Sequence, residues 1–510
     1  MSETRFKHDP WLALAGIAAS LCLSLWAISI DSVINNDGVH YILTAEFIAA
    51  GQWGEALNAF KWPAYSLLIY LVQLLPMVDY EAAARIVTTL GFTLVVLGFV
   101  SVCRLLGARG RVAWLSLLVI LVYPGINEFR SFLIRDSIFL ALYLFALLNL
   151  LKYARGDGMG PLFWSFLLFS LAALFRVEAA IFVFVFPAIL ISRRAPRAWR
   201  LPLFGLYGLI ALEVLGTFYG WWLFRPEDQL DPWTLLEQSQ DLFSQGLGQL
   251  ASELNQHVAG VRQRLPGWTP GFLAWPVTLL MVAWIVFSES VEALTLPFAL
   301  LLLVALVRGR PLLELSRPLR RALWIVCLVH LAVLLAFAGV RFFLTPRYPI
   351  ALTLTLALFV PFAINRLVFE PLRPVSGLAR YFVAGFVALL ILVNAVEGLD
   401  SFSRKSHIRE AGLWLRQNVP ADARLISNDI KFLYYADRHR DTWVLVDKRG
   451  EFEDFLYQGT WRWKDWVAVY LRRGDESLAN QLKRTLAQRP VQSFSGPRGD
   501  KMLIFHTADD

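Results

Sequence analysis

Residues 11–30 read WLALAGIAASLCLSLWAISI, and residues 31–46 continue DSVINNDGVHYILTAE. Twenty residues without a charge are the length that carries a helix across a bilayer. An acidic loop follows, and then a second pattern in which Val39, Ile42, Leu43 and Phe47 recur near helical spacing. From Asp37 onward this spacing predicts a helix with Asp37, His40, Tyr41 and Thr44 on one face, at steps of three and four. Arg5 and Lys7 lend the first stretch the look of a signal peptide. Glu3 and Asp9 beside them, and the apolar stretches that follow, favour an uncleaved first span instead.

The whole chain agrees with that reading. Its 510 residues are 57% hydrophobic and 17% charged, against about 45–50% and about 25% in an ordinary soluble domain. Long disorder, a disulfide-rich scaffold and a coiled coil are excluded by the same figures. Thirteen apolar stretches precede a polar tail that begins near Asp400: 11–30, 63–77, 83–104, 112–126, 137–152, 161–175, 177–192, 201–223, 271–287, 290–307, 321–340, 348–366 and 379–397. Cys22, Cys103 and Cys327 fall in such stretches and read as buried small hydrophobes. The net charge of +8 comes without a basic tail or aromatic-interleaved stripe, so no nucleic-acid partner is expected. In a multi-span chain, excess Lys and Arg mark cytoplasmic loops.

Charge then sets the topology. If every stretch crossed, Arg193, Arg194, Arg197 and Arg200 would lie outside, together with Arg104, Arg109 and Arg111. If 63–77 and 271–287, both short and punctuated by Pro63, Pro76 and Pro276, lie in the interface, the basic loops all become cytoplasmic. The sequence therefore predicts a polytopic α-helical membrane protein with about eleven spans, two interfacial helices and a small C-terminal α/β outer domain. Residues 1–399 form the membrane body, with outer loops at 31–82 and 224–289, and 400–510 form the outer domain. The tail alternates helical and strand-like runs at 408–418, 424–427, 443–446, 466–470, 476–488 and 502–506.

This topology gathers loops 31–82, 127–136, 176–178, 224–270 and 341–348 on the face that also carries the tail. Asp37 and His40 could serve acid–base chemistry, although Asp37 could equally cap its helix. Asp31 is a nearby competitor. Lys61 could meet a phosphate or anchor the chain beside Trp62 at the interface. Glu128, Arg130, Arg135 and Asp136 join two spans. Arg176 and Glu178 sit between apolar stretches with almost no loop, where a charge must pair or line a wet cavity. Arg135–Asp136 or Arg176–Glu178 could be structural ion pairs. Arg341, Arg347 and Tyr348 complete the set, and an arginine fork suits phosphate oxygens. His330, inside an apolar span, reads as a hydrogen-bonded core residue. No metal, nucleophile or phosphate-loop motif occurs.

The order of features resembles the GT-C superfamily of polyprenyl-phosphate-dependent membrane glycosyltransferases, in particular the bacterial branch related to protein O-mannosyltransferases and lipid A aminoarabinose transferases. The resemblance rests on Asn36-Asp37-Gly38-Val39-His40-Tyr41 with Gly51-Gln52-Trp53, and on Lys61-Trp62-Pro63-Ala64-Tyr65, similar to the family's Lys-Pro-Pro-Leu-Tyr entry into an interfacial helix. It rests further on Glu81-Ala-Ala-Ala-Arg85, on Thr345-Pro346-Arg347-Tyr348-Pro349, and on Gly412-Leu413-Trp414-Leu415 with Asn418-Val419-Pro420.

It implies an inverting sugar transfer from an undecaprenyl-phosphate donor, with Asp37 as base and Asp136 orienting the base, the acceptor or a metal. Lys61, Arg135, Arg176 and Arg347 would surround the leaving phosphate. The acceptor would be a lipid, glycan or protein, no cofactor is required, and a divalent cation is left open. The location implied is a bacterial inner membrane, with the N-terminus cytoplasmic and the tail periplasmic. A lipid or polysaccharide flippase, and an O-antigen ligase or polymerase using a diphosphate-linked glycan, are the alternatives.

Overall fold

The computed structural model describes residues 9–183, 248, 251–266, 269–307, 312–370, 377–400, 405–440, 464–486 and 489–507. Seven described helices are long and apolar enough to cross a membrane: Pro10–Ile30, Tyr80–Leu105, Asp136–Arg155, Gly271–Leu294, Arg317–Arg341, Ile350–Phe369 and Leu378–Leu399. Trp11, Leu25, Leu280, Trp284, Leu378 and Phe382 on these helices are exposed. Large apolar side chains displayed along whole helices fit lipid rather than water. The chain is a multi-pass membrane protein. Cys22 lies on such an uncovered face and is exposed, against the expectation that all three thiols are buried.

The helices start and stop for local reasons. Asp79 accepts the Ala82 N–H at 2.7 Å, and Glu81 and Arg104 place an acid in the first turn and a base in the last turn of Tyr80–Leu105, as the helix dipole favours. Ala64–Gln73 has ten residues. At 1.5 Å per residue it spans about 15 Å, half of what a crossing needs. The 271–287 stretch behaves differently from the sequence reading. It runs on through Ser288 and Glu289 as one helix, Ala274–Leu294, long enough to cross. The break comes at Thr295, whose φ is 71°. Ser288 donates its hydroxyl to the Ile285 carbonyl, so polar residues that suggest a boundary are absorbed inside the helix. The stretch 201–223, most of 177–192 and most of 224–270 lie outside the described residues, so the count of about eleven spans stays an expectation.

The chain divides into two compact units. The first comprises Met1–Leu21, Thr89–Glu128 and Arg135–Asp400, and the second Cys22–Thr88, Phe129–Ile134 and Ser401–Asp510. The first outer loop is thus grouped with the tail rather than with the membrane body. In the first unit, a Cβ added at Gly91 would lie 2.7 Å from the Ser137 hydroxyl. Only glycine permits that approach of the two central helices, and it brings the start of Asp136–Arg155 against its neighbour. Tyr123 bonds the Ala293 carbonyl at 2.7 Å and the Thr353 hydroxyl at 2.9 Å, tying three segments together.

In the second unit the tail forms a four-stranded sheet of order β1-β2-β4-β3, with β1 Leu425–Ser427, β2 Trp466–Leu471, β3 Gln492–Ser495 and β4 Lys501–His506. β1 and β2 are parallel and the other pairs antiparallel. β2 reads WVAVYL, near-continuously apolar, because helices cover both faces. Ala468 faces Ile408, Leu415 and Phe432 on one side. Val467 and Val469 face Leu478, Leu482 and Leu486 on the other. β3 has no counterpart among the predicted runs, and the run 443–446 lies outside the described residues.

Helix Ser406–Asn418 meets helix Ile430–Tyr435 at Gly412, where a Cβ would fall 2.6 Å from the Tyr435 Cβ and 2.9 Å from the Phe432 carbonyl oxygen. Gly412→Ala is expected to destabilise the tail by about 1–3 kcal/mol, the range for overpacking. Limited proteolysis of the tail against temperature measures it, and an unchanged midpoint would contradict this packing.

Candidate active site

In the first unit, four charged side chains converge. Asp136 is the first residue of its helix and is 2% exposed. Its Oδ1 accepts from Arg176 Nη1, and its Oδ2 accepts from Arg347 Nε at 3.0 Å and also from Nη2. Arg176 Nη2 in turn pairs with Glu178 Oε1 at 2.7 Å. The Arg176 guanidinium lies 5.5 Å from the Phe139 ring centre and 5.6 Å from that of Tyr348, within cation–π range. Tyr348 is held by Phe337, with ring centres 4.5 Å apart.

Two positive and two negative groups balance, which is the condition for keeping them at low exposure. The two arginines differ in access. The Arg347 side chain is 29% exposed and that of Arg176 8%. Of the two ion pairs considered from sequence, Arg176–Glu178 is present, and Asp136 is gripped by Arg176 and Arg347, far away in the chain. Arg135 is half-buried at the N-cap position of the same helix. His330 lines a cavity of about 40 Å³ with Arg176, Glu178 and Tyr348. It is buried as expected, but its ring packs edge-on against Tyr143 and Phe182 and its Nε2 has no hydrogen-bond partner among the described residues.

Glu128, also in this unit, has its carboxyl pushed up to about 7 by burial and then by Glu397 and Glu292. An acid whose folded value exceeds its unfolded one contributes stability below about 4.5 that is lost as pH rises through about 7. The loss is about 3 kcal/mol at most, at about 1.4 kcal/mol per pH unit. Thermal unfolding in detergent is expected to fall between pH 5 and 8, and Glu128→Gln is expected to flatten that slope. An equal slope in the variant would contradict the assignment.

The second unit holds the other candidates. Asp37 is the second residue of helix Asn36–Ala49 and is half-buried, with His40 half-buried one turn on. Asn35, not Asp37, occupies the N-cap position. The capping alternative for Asp37 therefore falls away. Asn35 is itself engaged in a two-bond clasp with Leu133, donating to its carbonyl at 3.2 Å and accepting its N–H at 2.8 Å. Tyr41 and Thr44, expected beside Asp37, are buried. The Tyr41 ring meets Phe60 and Tyr65 edge-on at 5.0 and 4.9 Å.

The loop before this helix is fixed by residues that sequence spacing did not single out. The Ile34 N–H donates to the Tyr435 hydroxyl at 3.1 Å. Arg85 donates to the Ser32 carbonyl at 2.6 Å while pairing with Glu81 at 2.7 Å. Glu46, on the same helix, accepts from His439 at 3.1 Å and Arg440 at 2.9 Å. Against burial, these bonds hold the Glu46 carboxyl below its ordinary value. Asp31 is 2% exposed. Lys61 is exposed just before helix Ala64–Gln73. Arg130 is buried, donates to the Ser24 hydroxyl at 2.9 Å, and is drawn down to about 10 by burial.

No protein-family model and no curated protein sequence matches the chain. Solved structures do. ArnT from Cupriavidus metallidurans bound to undecaprenyl phosphate superposes with a TM-score of 0.52 at 14% identity, covering 98% of each chain. The archaeal oligosaccharyltransferase AglB from Archaeoglobus fulgidus, in complex with an inhibitory peptide and a dolichol-phosphate, gives 0.52 at 12% identity over 90% of this chain and 69% of that one. The same oligosaccharyltransferase in complex with Zn and sulfate gives 0.52 at 13% over 96% and 72%. The chain shares the fold of these solved structures, end to end in the case of ArnT. At these identities the likeness concerns the fold alone, and the roles of single residues rest on the geometry above.

Proposed function

We propose that this protein is a membrane glycosyltransferase that moves a sugar from a polyprenyl-phosphate donor to an acceptor hydroxyl, with inversion. The supporting observation is the GT-C fold shared end to end with a structure holding undecaprenyl phosphate. Asp37 is the base. Of the two acids weighed for this role, Asp37 is half-buried whereas Asp31 is buried, and the loop before its helix is pinned by Tyr435 and Arg85. Asp37 takes the proton of the acceptor hydroxyl, the acceptor oxygen bonds the anomeric carbon, and the bond to the phosphate oxygen breaks. The polyprenyl phosphate leaves with the electron pair. A base in hydrogen-bond reach of the hydroxyl supplies about 10²–10⁴-fold.

Arg347 meets the leaving phosphate, being the more exposed arginine of its cluster. Arg176 is assigned to the same group through the carboxylate it shares with Arg347. Asp136 is a positioning residue in this reading, since both its oxygens are committed to these arginines. Lys61, Arg135 and His40 are secondary contacts for donor or acceptor, and Glu128, Arg130 and Glu178 support them. The residues do not fit a resident cation: both Asp136 oxygens already accept from arginines, whose positive charge opposes a cation there, and among the described residues no three His, Cys, Asp or Glu side chains converge to hold one. The mechanism therefore takes no step through a metal. In this reading the tail and outer loops face the periplasm of a bacterial inner membrane and the N-terminus is cytoplasmic.

The experiment is a panel of radiolabelled undecaprenyl-phosphate and undecaprenyl-diphosphate sugars presented to the protein in nanodiscs. Turnover of monophosphate donors is expected. Turnover confined to diphosphate-linked glycans would replace this reading with a ligase or polymerase. Lipid movement without turnover would replace it with a transporter.

A further inference from the structure

The second unit contains a polar cleft that the transfer mechanism does not use. It measures about 850 Å³, within the range of about 300–1,000 Å³ usual for small-ligand clefts. Five cationic side chains line it, Lys405, Lys431, Arg472, Arg473 and Arg498, against two carboxylates, Asp429 and Asp500. Both carboxylates are already engaged. Asp429 accepts the N–H groups of Lys431 and Phe432 at 2.9 and 3.0 Å and pairs with the Lys431 ammonium at 3.2 Å. Asp500 accepts the Tyr470 hydroxyl at 2.9 Å.

Arg472 and Arg473 are exposed at the rim, and among the described residues neither guanidinium is paired with a carboxylate. Burial and then Lys431 lower the Lys405 ammonium from its ordinary value, so an incoming anion would relieve crowded positive charge. The remaining wall offers the amide of Asn36, with little apolar surface for an acyl chain; the Asn428 amide is bonded to the Tyr470 backbone at 3.0 and 2.7 Å. Asn36 directly precedes Asp37.

We infer that this cleft binds an anionic glycan, a short sugar segment bearing carboxylate or phosphate, and thereby holds the acceptor by a part remote from the reacting hydroxyl. The guanidinium forks of Arg472 and Arg473 take the charged substituent, and the Asn36 amide and the Tyr470 hydroxyl oxygen take sugar hydroxyls. The acceptor role rests on the transferase reading above; the binding itself does not.

The test uses the full chain in phosphatidylcholine nanodiscs, without donor, titrated with trigalacturonate, with neutral maltotriose and with inorganic phosphate. Wild type is expected to bind trigalacturonate and not maltotriose, and raising salt from about 50 to about 500 mM should weaken binding by screening. The Arg472→Gln/Arg473→Gln double variant, on exposed positions that folding tolerates, is expected to raise the Kd at least tenfold. Arg416→Gln, outside the cleft, should leave it within twofold. Equal affinity in wild type and the double variant would overturn the proposal. So would inorganic phosphate binding as tightly as the trisaccharide, which would mean a simple anion site. Arginine-dependent binding seen only with phosphatidylglycerol vesicles would mean a membrane contact instead. Asp37→Asn should bind like wild type. Loss of binding with donor turnover intact defeats the cleft alone, and binding without any donor turnover defeats the transferase reading alone.

Discussion

Asp136→Ala is expected to lower the stability of the protein by about 3–5 kcal/mol, the cost of leaving buried charge without its partner. The size follows from the arrangement around one carboxylate. Asp136 is 2% exposed and answers two guanidinium groups, while Glu178 pairs with Arg176 alone. Removing Asp136 leaves Glu178 as the acid paired with Arg176 and takes from Arg347 the carboxylate it donates to. Asp136→Asn keeps the shape but loses the charge, and is expected to cost nearly as much. Adding Arg347→Leu to Asp136→Ala should recover part of the loss, because the cation goes together with the carboxylate it donates to. Thermal and denaturant unfolding in detergent measure the series, and the double variant supplies the coupling energy between the two positions. A loss below about 1 kcal/mol in Asp136→Ala would mean that water reaches the cluster and that Asp136 does not position the arginines.

Asp37→Asn is expected to lower transfer by about 10²–10⁴-fold while leaving the fold in place. The structural cost is small. Asp37 is half-buried in the first turn of its helix and is not the N-cap. The charge lost there is worth about 0.3–1 kcal/mol through the helix dipole. Activity and stability therefore separate at this position, unlike Asp136, where both fall together. Matched thermal midpoints beside a collapsed rate would show it. A variant that unfolds earlier by several kcal/mol would make Asp37 a structural acid.

These residues also show what the sequence discloses and what it hides. The uncharged 20-residue run before Asp31 and the apolar run WVAVYL at Trp466–Leu471 are local signals that survive folding, so the first long helix and this strand could be read directly. The pairing of Asp136 with Arg347 joins positions 211 residues apart, and no local period encodes it. What the sequence did offer was Arg176 placed at an apolar junction, a charge that had to find a partner. The face shared by Asp37, His40, Tyr41 and Thr44 was only half right. Helical spacing puts these four together, but neighbouring aromatic rings at Phe60 and Tyr65 decide which of them are covered. Tyr435 and His439 escaped notice because their partners, Ile34 and Glu46, lie some 400 residues away in sequence.

The central claim, that an accessible acid of the first outer loop drives sugar transfer from a polyprenyl monophosphate, is tested most directly by one rate. It is the release of undecaprenyl phosphate from the donor that the panel identifies, compared in wild type, Asp37→Asn and Asp31→Asn in the same nanodiscs. Release by wild type, lost by at least about 10²-fold in Asp37→Asn and largely kept in folded Asp31→Asn, is the result expected. Equal release by wild type and Asp37→Asn would contradict the account.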